Sequence, residues 1–287
     1  MRLALALFFS LFGTIAAAEP PLTEGTFRFG HNAESNDNVA EFTSLTTYRF
    51  GGAAMEGRFE LGVSRDASRE AHYASAGISV PFGTVDIGRP RSILELGPIP
   101  DQVRYGSIAT RSALRPLAAE AALDDTLGGG IRIIGENGSL RVGTSYHLIS
   151  ETNDSVFGVA GRYDLEKLGN VDQITFYGGA ESDGLEEHFL LGTEVTSGNA
   201  IAAVDLLRGS ENGGIQVSQI SLGYAVSNNL TLGISGFREF EEATDSEELR
   251  LGLGASVMSG TGAYVRGGID GASSDDIAFD LAIGFQF

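Results

Sequence analysis

From residue 24 to the C-terminal Phe287, apolar residues recur at every second position in stretch after stretch. A period of two commits the chain to β-strands with two unlike faces. In the final stretch Ile277, Phe279, Leu281, Ile283, Phe285 and Phe287 take one side, and Ala278, Asp280, Ala282, Gly284 and Gln286 take the other. Leu249, Leu251, Leu253, Ala255 and Val257 likewise oppose Glu248, Arg250, Gly252, Gly254 and Ser256. Leu140, Val142, Thr144, Tyr146 and Leu148 oppose Arg141, Gly143, Ser145, His147 and Ile149. Sixteen segments carry the pattern, at 24–31, 38–50, 54–65, 71–81, 82–89, 128–135, 138–150, 155–164, 171–181, 185–196, 199–208, 214–226, 229–240, 246–258, 262–270 and 275–287. Most are near the ~9–11 residues with which a tilted strand crosses a bilayer.

Alternation of this kind also builds soluble sandwiches, with the apolar face inward. Two features favour the opposite arrangement. Aromatic residues gather at strand ends (Phe27/Phe29, Tyr48/Phe50, Phe82, Tyr163, Tyr224, Phe285/Phe287), where membrane barrels carry their girdles. The connections also alternate. Short turns such as Gly51-Gly52, Glu136-Asn137-Gly138, Ser197-Gly198-Asn199 and Ser227-Asn228-Asn229 are interleaved with longer acidic ones such as Asn32–Asp37, Ser210–Gly214, Glu241–Glu247 and Gly271–Asp276. Asn and Gly accept the positive φ of tight turns, and short turns on one rim with longer loops on the other describe an up-and-down barrel. Glu166–Asn170 reads as a longer member of the short set. Past the N-terminus there is no apolar run long enough for a transmembrane helix, so none is expected, which leaves a barrel open.

One segment breaks the pattern. Pro90 to Leu127 holds four of the seven prolines (Pro90, Pro98, Pro100 and Pro116), and none follows Pro116. Inserts of that length are functional or disordered, and within a ring of strands one can fold into the lumen. Leu117-Ala-Ala-Glu-Ala-Ala-Leu123 reads as a short helical turn inside it, packing on the wall.

Positions 1–18 read as a secretory signal: Arg2, an apolar stretch from Leu3 to Phe12, and a small-residue site at Ala16-Ala17-Ala18. Cleavage before Glu19 leaves a mature chain from Glu19 to Phe287, and loss of Arg2 takes the net charge from −19 to −20. Cysteine is absent, which excludes a disulfide framework and thiolate metal or redox chemistry. Negative charge argues against nucleic acid as a partner.

Phe82-Gly83-Thr84-Val85-Asp86-Ile87-Gly88-Arg89 stands immediately before the proline-rich segment, and the chain ends in Phe on an alternating strand. In these features the chain resembles the general porins of Gram-negative bacteria, in particular the proteobacterial family with a Phe-Gly-Thr-Val-x-x-Gly-Arg segment before the third external loop. The resemblance implies an all-β, 16-stranded antiparallel transmembrane barrel over 19–287, with 90–127 as a constriction loop folded into the lumen. It implies a homotrimer in the outer membrane, in contact with lipid and lipopolysaccharide. It also implies assembly through machinery that reads the strand ending in Phe287, and passive diffusion of ions and small hydrophilic solutes. The span 19–287 is short for the family, with the trimming expected in the external loops.

With the apolar face toward lipid, the other face gives the lumen candidates. Basic ones are Arg28, Arg49, Arg58, Arg132, Arg141, Arg162, Arg250 and Arg266; acidic ones include Glu41, Glu56, Glu60, Asp86, Asp164, Glu194, Glu248 and Asp280. Arg28, Arg49 and Arg58, on successive strands, suggest an arginine cluster. The inserted segment brings Glu95, Asp101, Glu120, Asp124 and Asp125, nearly balanced by Arg91, Arg104, Arg111 and Arg115. In the family, wall arginines face loop carboxylates across the constriction, and charged rings set selectivity in channels generally. The overall charge and acidic outer loops point to mild cation preference.

Two other classes compete. A barrel-embedded hydrolase needs a nucleophile and base, but His31, His72, His147 and His188 lie in no nucleophile motif and Gly-x-Ser-x-Gly is absent. A plugged structural barrel would favour small or apolar inward residues. No cofactor is required. Glu241-Glu242 with Asp245, or Ser273–Asp276, has the oxygen ligands for calcium without the fixed EF-hand spacing, so a solvated loop is the expectation.

Overall fold

A computed structural model describes residues 22–32, 37–52, 55–66, 69–96, 116–150, 154–210, 214–260, 263–272 and 277–286. The expected signal at 1–18 lies outside them. Strands β1 (Leu22–Asn32), β2 (Asp37–Gly52), β3 (Met55–Asp66), β4 (Arg69–Val80) and β5 (Gly83–Arg89) precede two short helices, α1 (Ile93–Leu96) and α2 (Leu117–Leu123). Then come β6 (Leu127–Asn137), β7 (Leu140–Ile149), β8 (Ser155–Leu168), β9 (Val171–Ser182), β10 (Glu187–Ser197) and β11 (Ala200–Gly209). β12 (Ile215–Ser227), β13 (Leu230–Glu241), β14 (Ser246–Met258), β15 (Tyr264–Ala272) and β16 (Ile277–Gln286) complete the chain. The fold is all-β and antiparallel, as the alternation requires. Each strand pairs with its chain neighbour, and β1 also pairs with β16, from Glu24 opposite Gln286 to Asn32 opposite Ala278.

The apolar face is the exposed one. Leu249, Leu251, Leu253 and Val257 on β14, and Ile277, Phe279, Leu281 and Ile283 on β16, are open, Leu251 at 68%. The polar face is closed: Glu60, Asp86, Arg132, Glu181 and Asp205 are buried. A water-soluble sandwich would have these reversed. Exposed aromatics stand near the short turns, with Phe82 beside its turn and Tyr163 opposite Phe176.

The contrast between the two rims is weaker than the sequence suggests. Strand bounds leave only a few positions for every connection on the loop rim except 90–126, because β13 runs to Glu241 and β14 starts at Ser246, and the other strands reach as far. The Glu166–Asn170 turn is not long either. β8 continues through Leu168, which lies opposite Val171, so Gly169 and Asn170 alone close the hairpin. Gly169 takes a φ of 63° there, and Lys167 a φ of 51°. Helix α2 is the one expected at Leu117–Leu123; α1 is an addition, although Ser92 stands at its N-cap and Glu95 three residues on, a pattern that starts helices.

Candidate functional site

The two described ends of the segment 90–127 rest on the polar face of the sheet, and one register row explains where. Opposite positions run from Arg58 on β3 to Gly77, Asp86, Arg132, Ser145, Gly158, Glu181 and His188 on β10, one residue per strand. Because side-chain direction alternates strictly along each strand, such a row puts all these positions on one face. At the β2 end Arg49 lies opposite Arg58.

Four charged groups in this stretch form a compact quartet. Arg132 donates from Nη2 to Asp86 Oδ2 at 2.9 Å and to Glu60 Oε2 at 3.0 Å, and from Nε to Asp86 Oδ2 at 3.3 Å. Arg58 donates from Nη2 to Glu60 Oε2 at 2.9 Å, and its Nε lies 3.2 Å from Asp86 Oδ1. Two guanidinium groups and two carboxylates offset one another, with the Arg91 charge also acting on Glu60, which is how Arg132 can be held only 1% exposed. Gly77 is what lets Asp86 reach across: a Cβ there would stand 2.5 Å from Asp86 Oδ1.

The segment docks on the same row. Arg132 Nη1 donates to the Arg91 carbonyl at 3.2 Å, and Ile93 N–H donates to Ser145 Oγ at 3.2 Å. Ser92 Oγ donates to Glu181 Oε1. Ile93, fully buried, fits where β7 and β8 have no side chain, against Gly143 and Gly158; Leu94 lies against Gly179 of β9. A Cβ on Gly158 would be 2.9 Å from Ile93 Cγ2, and one on Gly179 2.5 Å from Leu94 Cδ2. The returning end packs through α2, whose Leu117, Ala118, Ala122 and Leu123 form one buried cluster with Ala71 and Tyr73 of β4, Leu127 and Val156. Ion pairs add to it: Arg69 with Glu120 at 2.7 Å and with Asp124 at 3.3 Å, and Arg89 with Asp125 at 3.3 Å.

Of the residues read from the sequence, Arg58 and Arg132 stand at the centre of this site, joined by Glu60 and Asp86. Arg132 is covered by the segment, so it presents its charge to carboxylates and a carbonyl rather than to open water. Arg141 is elsewhere: it lies before Ser145 on β7, roughly 13 Å away at ~3.3 Å per residue, and pairs with Glu136 at 2.9 Å. Of the expected cluster of Arg28, Arg49 and Arg58, register sets Arg49 opposite Arg58 and takes Arg28 away from both. Arg28 is opposite Glu41, and Glu41 and Arg49 stand roughly 26 Å apart along β2 at ~3.3 Å per residue. Glu120, Asp124 and Asp125 are held by Arg69 and Arg89. Glu95 belongs to α1, and its side chain, like Asp101, lies outside the described residues. Sequence reasoning misses Glu181, Ser92, Ser145 and Arg69 as site residues. Period two does place Glu181 on the face shared by Thr175 and Tyr177, but nothing local tells a buried carboxylate from a solvated one.

Other polar-face charges are paired in the same way, Arg162 with Asp164 at 2.9 Å and Arg250 with Glu248. On β9 the Tyr177 ring crosses the bare backbone of Gly192 to donate to Asp205 on β11. Among the described residues no group of three or more His, Cys, Asp or Glu is placed to hold a metal ion, and 273–276 lie outside them. His147 is buried with neither ring nitrogen hydrogen-bonded among the described residues, and His72 lies beside Glu70 at 3.1 Å. His147 therefore lacks, among the described residues, the nucleophile and orienting group that a general base requires.

No protein-family model matches the chain, and no curated protein does. Solved structures do. A triple mutant of the Rhodopseudomonas blastica porin superposes with a TM-score of 0.69 at 15% identity, over 93% of this chain and 99% of that one. A double mutant of the same porin gives 0.69 at 14% identity with the same coverage. A chain described under asymmetric conductivity of engineered proteins also gives 0.69 at 14%, over 93% and 99%. The fold is thus of the proteobacterial porin type.

Proposed function

We propose that the chain forms a sixteen-stranded transmembrane barrel in the outer membrane and acts as a porin, a water-filled channel for passive diffusion of ions and small hydrophilic solutes. One observation carries this reading. The apolar face is open while the polar, charged face is enclosed and holds both described ends of 90–127, which is the polarity of a barrel in lipid around an aqueous lumen. The pairing of β1 with β16 supports closure, since an unpaired edge in hydrocarbon would leave a row of unsatisfied backbone groups. The porin-type fold supports the same reading.

In this reading 90–127 is the constriction, residues 1–18 are a cleaved signal, and three copies associate through part of the apolar belt, the rest meeting lipid and lipopolysaccharide. The strand ending in Phe287 addresses the chain to the assembly machinery. No cofactor takes part. Cation preference follows from the charge balance. The arginines of the polar face whose pairs are described above (Arg58, Arg132, Arg162 and Arg250) are each matched by a carboxylate, while the whole chain carries 38 acidic against 19 basic residues. The reading is tested by conductance of the refolded protein in a planar bilayer, with the reversal potential taken under a salt gradient. Openings in threes with weak cation selectivity are expected. Anion selectivity would overturn the charge argument, and a barrel that inserts in silence would return the plugged or hydrolytic alternatives.

A further inference from the structure

The segment 90–127 leaves the sheet at Arg89 and rejoins it at Leu127, so its position over the polar face depends on what holds it between those points. Most of the contacts reach one end only. Arg132 takes the Arg91 carbonyl and Ser145 takes the Ile93 N–H, both at the outgoing end. Arg69 and Arg89 take Glu120, Asp124 and Asp125, all at the returning end, and these pairs are partly open to solvent. Glu181 reaches both. It accepts from Ser92 Oγ at Oε1 and from the Ala118 N–H at Oε2, the latter at 3.4 Å.

The setting of Glu181 suits this use. It lies on β9, is 1% exposed, and stands opposite Gly158, whose missing side chain leaves room for Ile93 beside it. A Cβ at Gly158 would be 3.0 Å from Glu181 Cγ and 3.0 Å from Ser145 Oγ. Ser92 Oγ in turn accepts the Leu94 N–H at 2.9 Å, so the outgoing end is turned into α1 by the same hydroxyl that binds the carboxylate. A buried carboxylate has to be met by donors. Here two of those donors, on Ser92 and Ala118, come from opposite ends of the inserted segment.

Building on the constriction reading above, we propose that Glu181 is the positioning residue that fixes the aperture: a single buried carboxylate clasps both ends of the inserted segment to β9. The pore is then set by a contact four strands away from the strand that launches the segment. When the clasp is lost, the outgoing end keeps its hold on the row through Arg132 and Ser145, and α2 keeps its apolar patch, but the two ends no longer share this anchor.

The test uses the absence of native cysteine. Ala122 of α2 is fully buried against the sheet, so an Ala122→Cys thiol reports whether the returning end is seated. In the full-length refolded protein a water-soluble maleimide is expected to label Ala122→Cys on the order of tenfold faster once Glu181→Gln is added, the scale of losing a hydrogen bond to a charged group. The Gln amide keeps one acceptor oxygen and turns the other into a donor, so only one end is still held. Single-channel conductance is expected to spread from one level to several in Glu181→Gln, with folded mobility on unheated gels unchanged. Ser92→Ala moves both readouts in the same direction, and Glu181→Gln/Ser92→Ala goes little further than Glu181→Gln. Unchanged labelling and a single conductance level in Glu181→Gln, in a protein that conducts, would overturn the clasp. Faster labelling in a protein that never conducts would refute the channel reading and with it the aperture role, so the two failures are distinct. If Glu181→Gln does not fold, Ser92→Ala carries the same test.

Discussion

Asp86→Ala removes half of the negative charge from a site that is closed to water. Asp86 is 0% exposed and meets both guanidinium groups, Arg132 at 2.9 Å and Arg58 at 3.2 Å. Its loss leaves Glu60 as the one carboxylate of the quartet to two arginines, with Arg132 2% exposed at its side chain. Breaking a buried pair in this way costs about 3–5 kcal/mol, most of it the uncompensated charge rather than the lost attraction. An exposed pair offers the contrast. Arg141 and Glu136 are 43% and 45% open, and Arg141→Ala should cost no more than about 1 kcal/mol. The assay is equilibrium unfolding in denaturant with a fixed lipid or detergent, followed by far-UV circular dichroism, since the chain has no tryptophan. A second variant separates charge from packing. Asp86→Ala/Arg132→Met removes one charge of each sign and leaves Arg58 with Glu60, still paired at 2.9 Å. It should recover most of the loss, because a well-packed apolar replacement of a buried pair is commonly close to neutral. If Asp86→Ala costs no more than Arg141→Ala, or if the double variant is worse than the single one, the quartet is not a sealed and balanced unit and the argument fails.

Two further outcomes follow from backbone geometry. Gly158→Val, a change that usually favours a strand, is expected to destabilise by about 1–3 kcal/mol through overpacking, because its Cβ would stand 2.9 Å from Ile93 Cγ2; an unfolding midpoint at or above that of the parent would count against the seating of Ile93. Lys167→Gly is expected to stabilise by up to about 1 kcal/mol, since Lys167 holds a φ of 51° that glycine adopts without strain. A lowered midpoint there would contradict the turn geometry.

The strands are legible in the sequence because their signal is written locally. In β14 and β16 the alternation of Leu249–Val257 and Ile277–Ile283 fixes which face meets the surroundings, and no long-range information is needed. Strand ends are less legible. Leu168 and Glu241 carry no breaker, and strands extend through such residues when a neighbour is there to pair with, which is why β8 and, by one residue, β13 outrun their expected limits. The site is half legible. Arg58, Glu60, Asp86 and Arg132 can be assigned to the polar face by parity, but their meeting depends on register, and register is a property of pairs of strands. The same parity makes Arg28 look like a neighbour of Arg49, and the β1–β2 register separates them. Glu181 and Ser92 are hidden for another reason. They lie 89 residues apart in the chain, across four strand pairings, and nothing near either residue announces the contact.

That separation also orders the assembly of the molecule in time. Every pairing from β1 to β16, apart from the closing one, joins neighbours in the chain, so the sheet can grow by adding one hairpin at a time, most of them closing a short loop. The inserted segment cannot follow that schedule. It springs from β5, yet its anchor lies on β9, so it cannot be fully seated until every strand from β5 to β9 is in place, whichever end the sheet grows from. Throughout that interval Ile93 and the apolar side of α2 have only part of their final surroundings. The element proposed to narrow the channel thus carries an obligation to a distant part of the chain, and the wall is well advanced before that element can be seated.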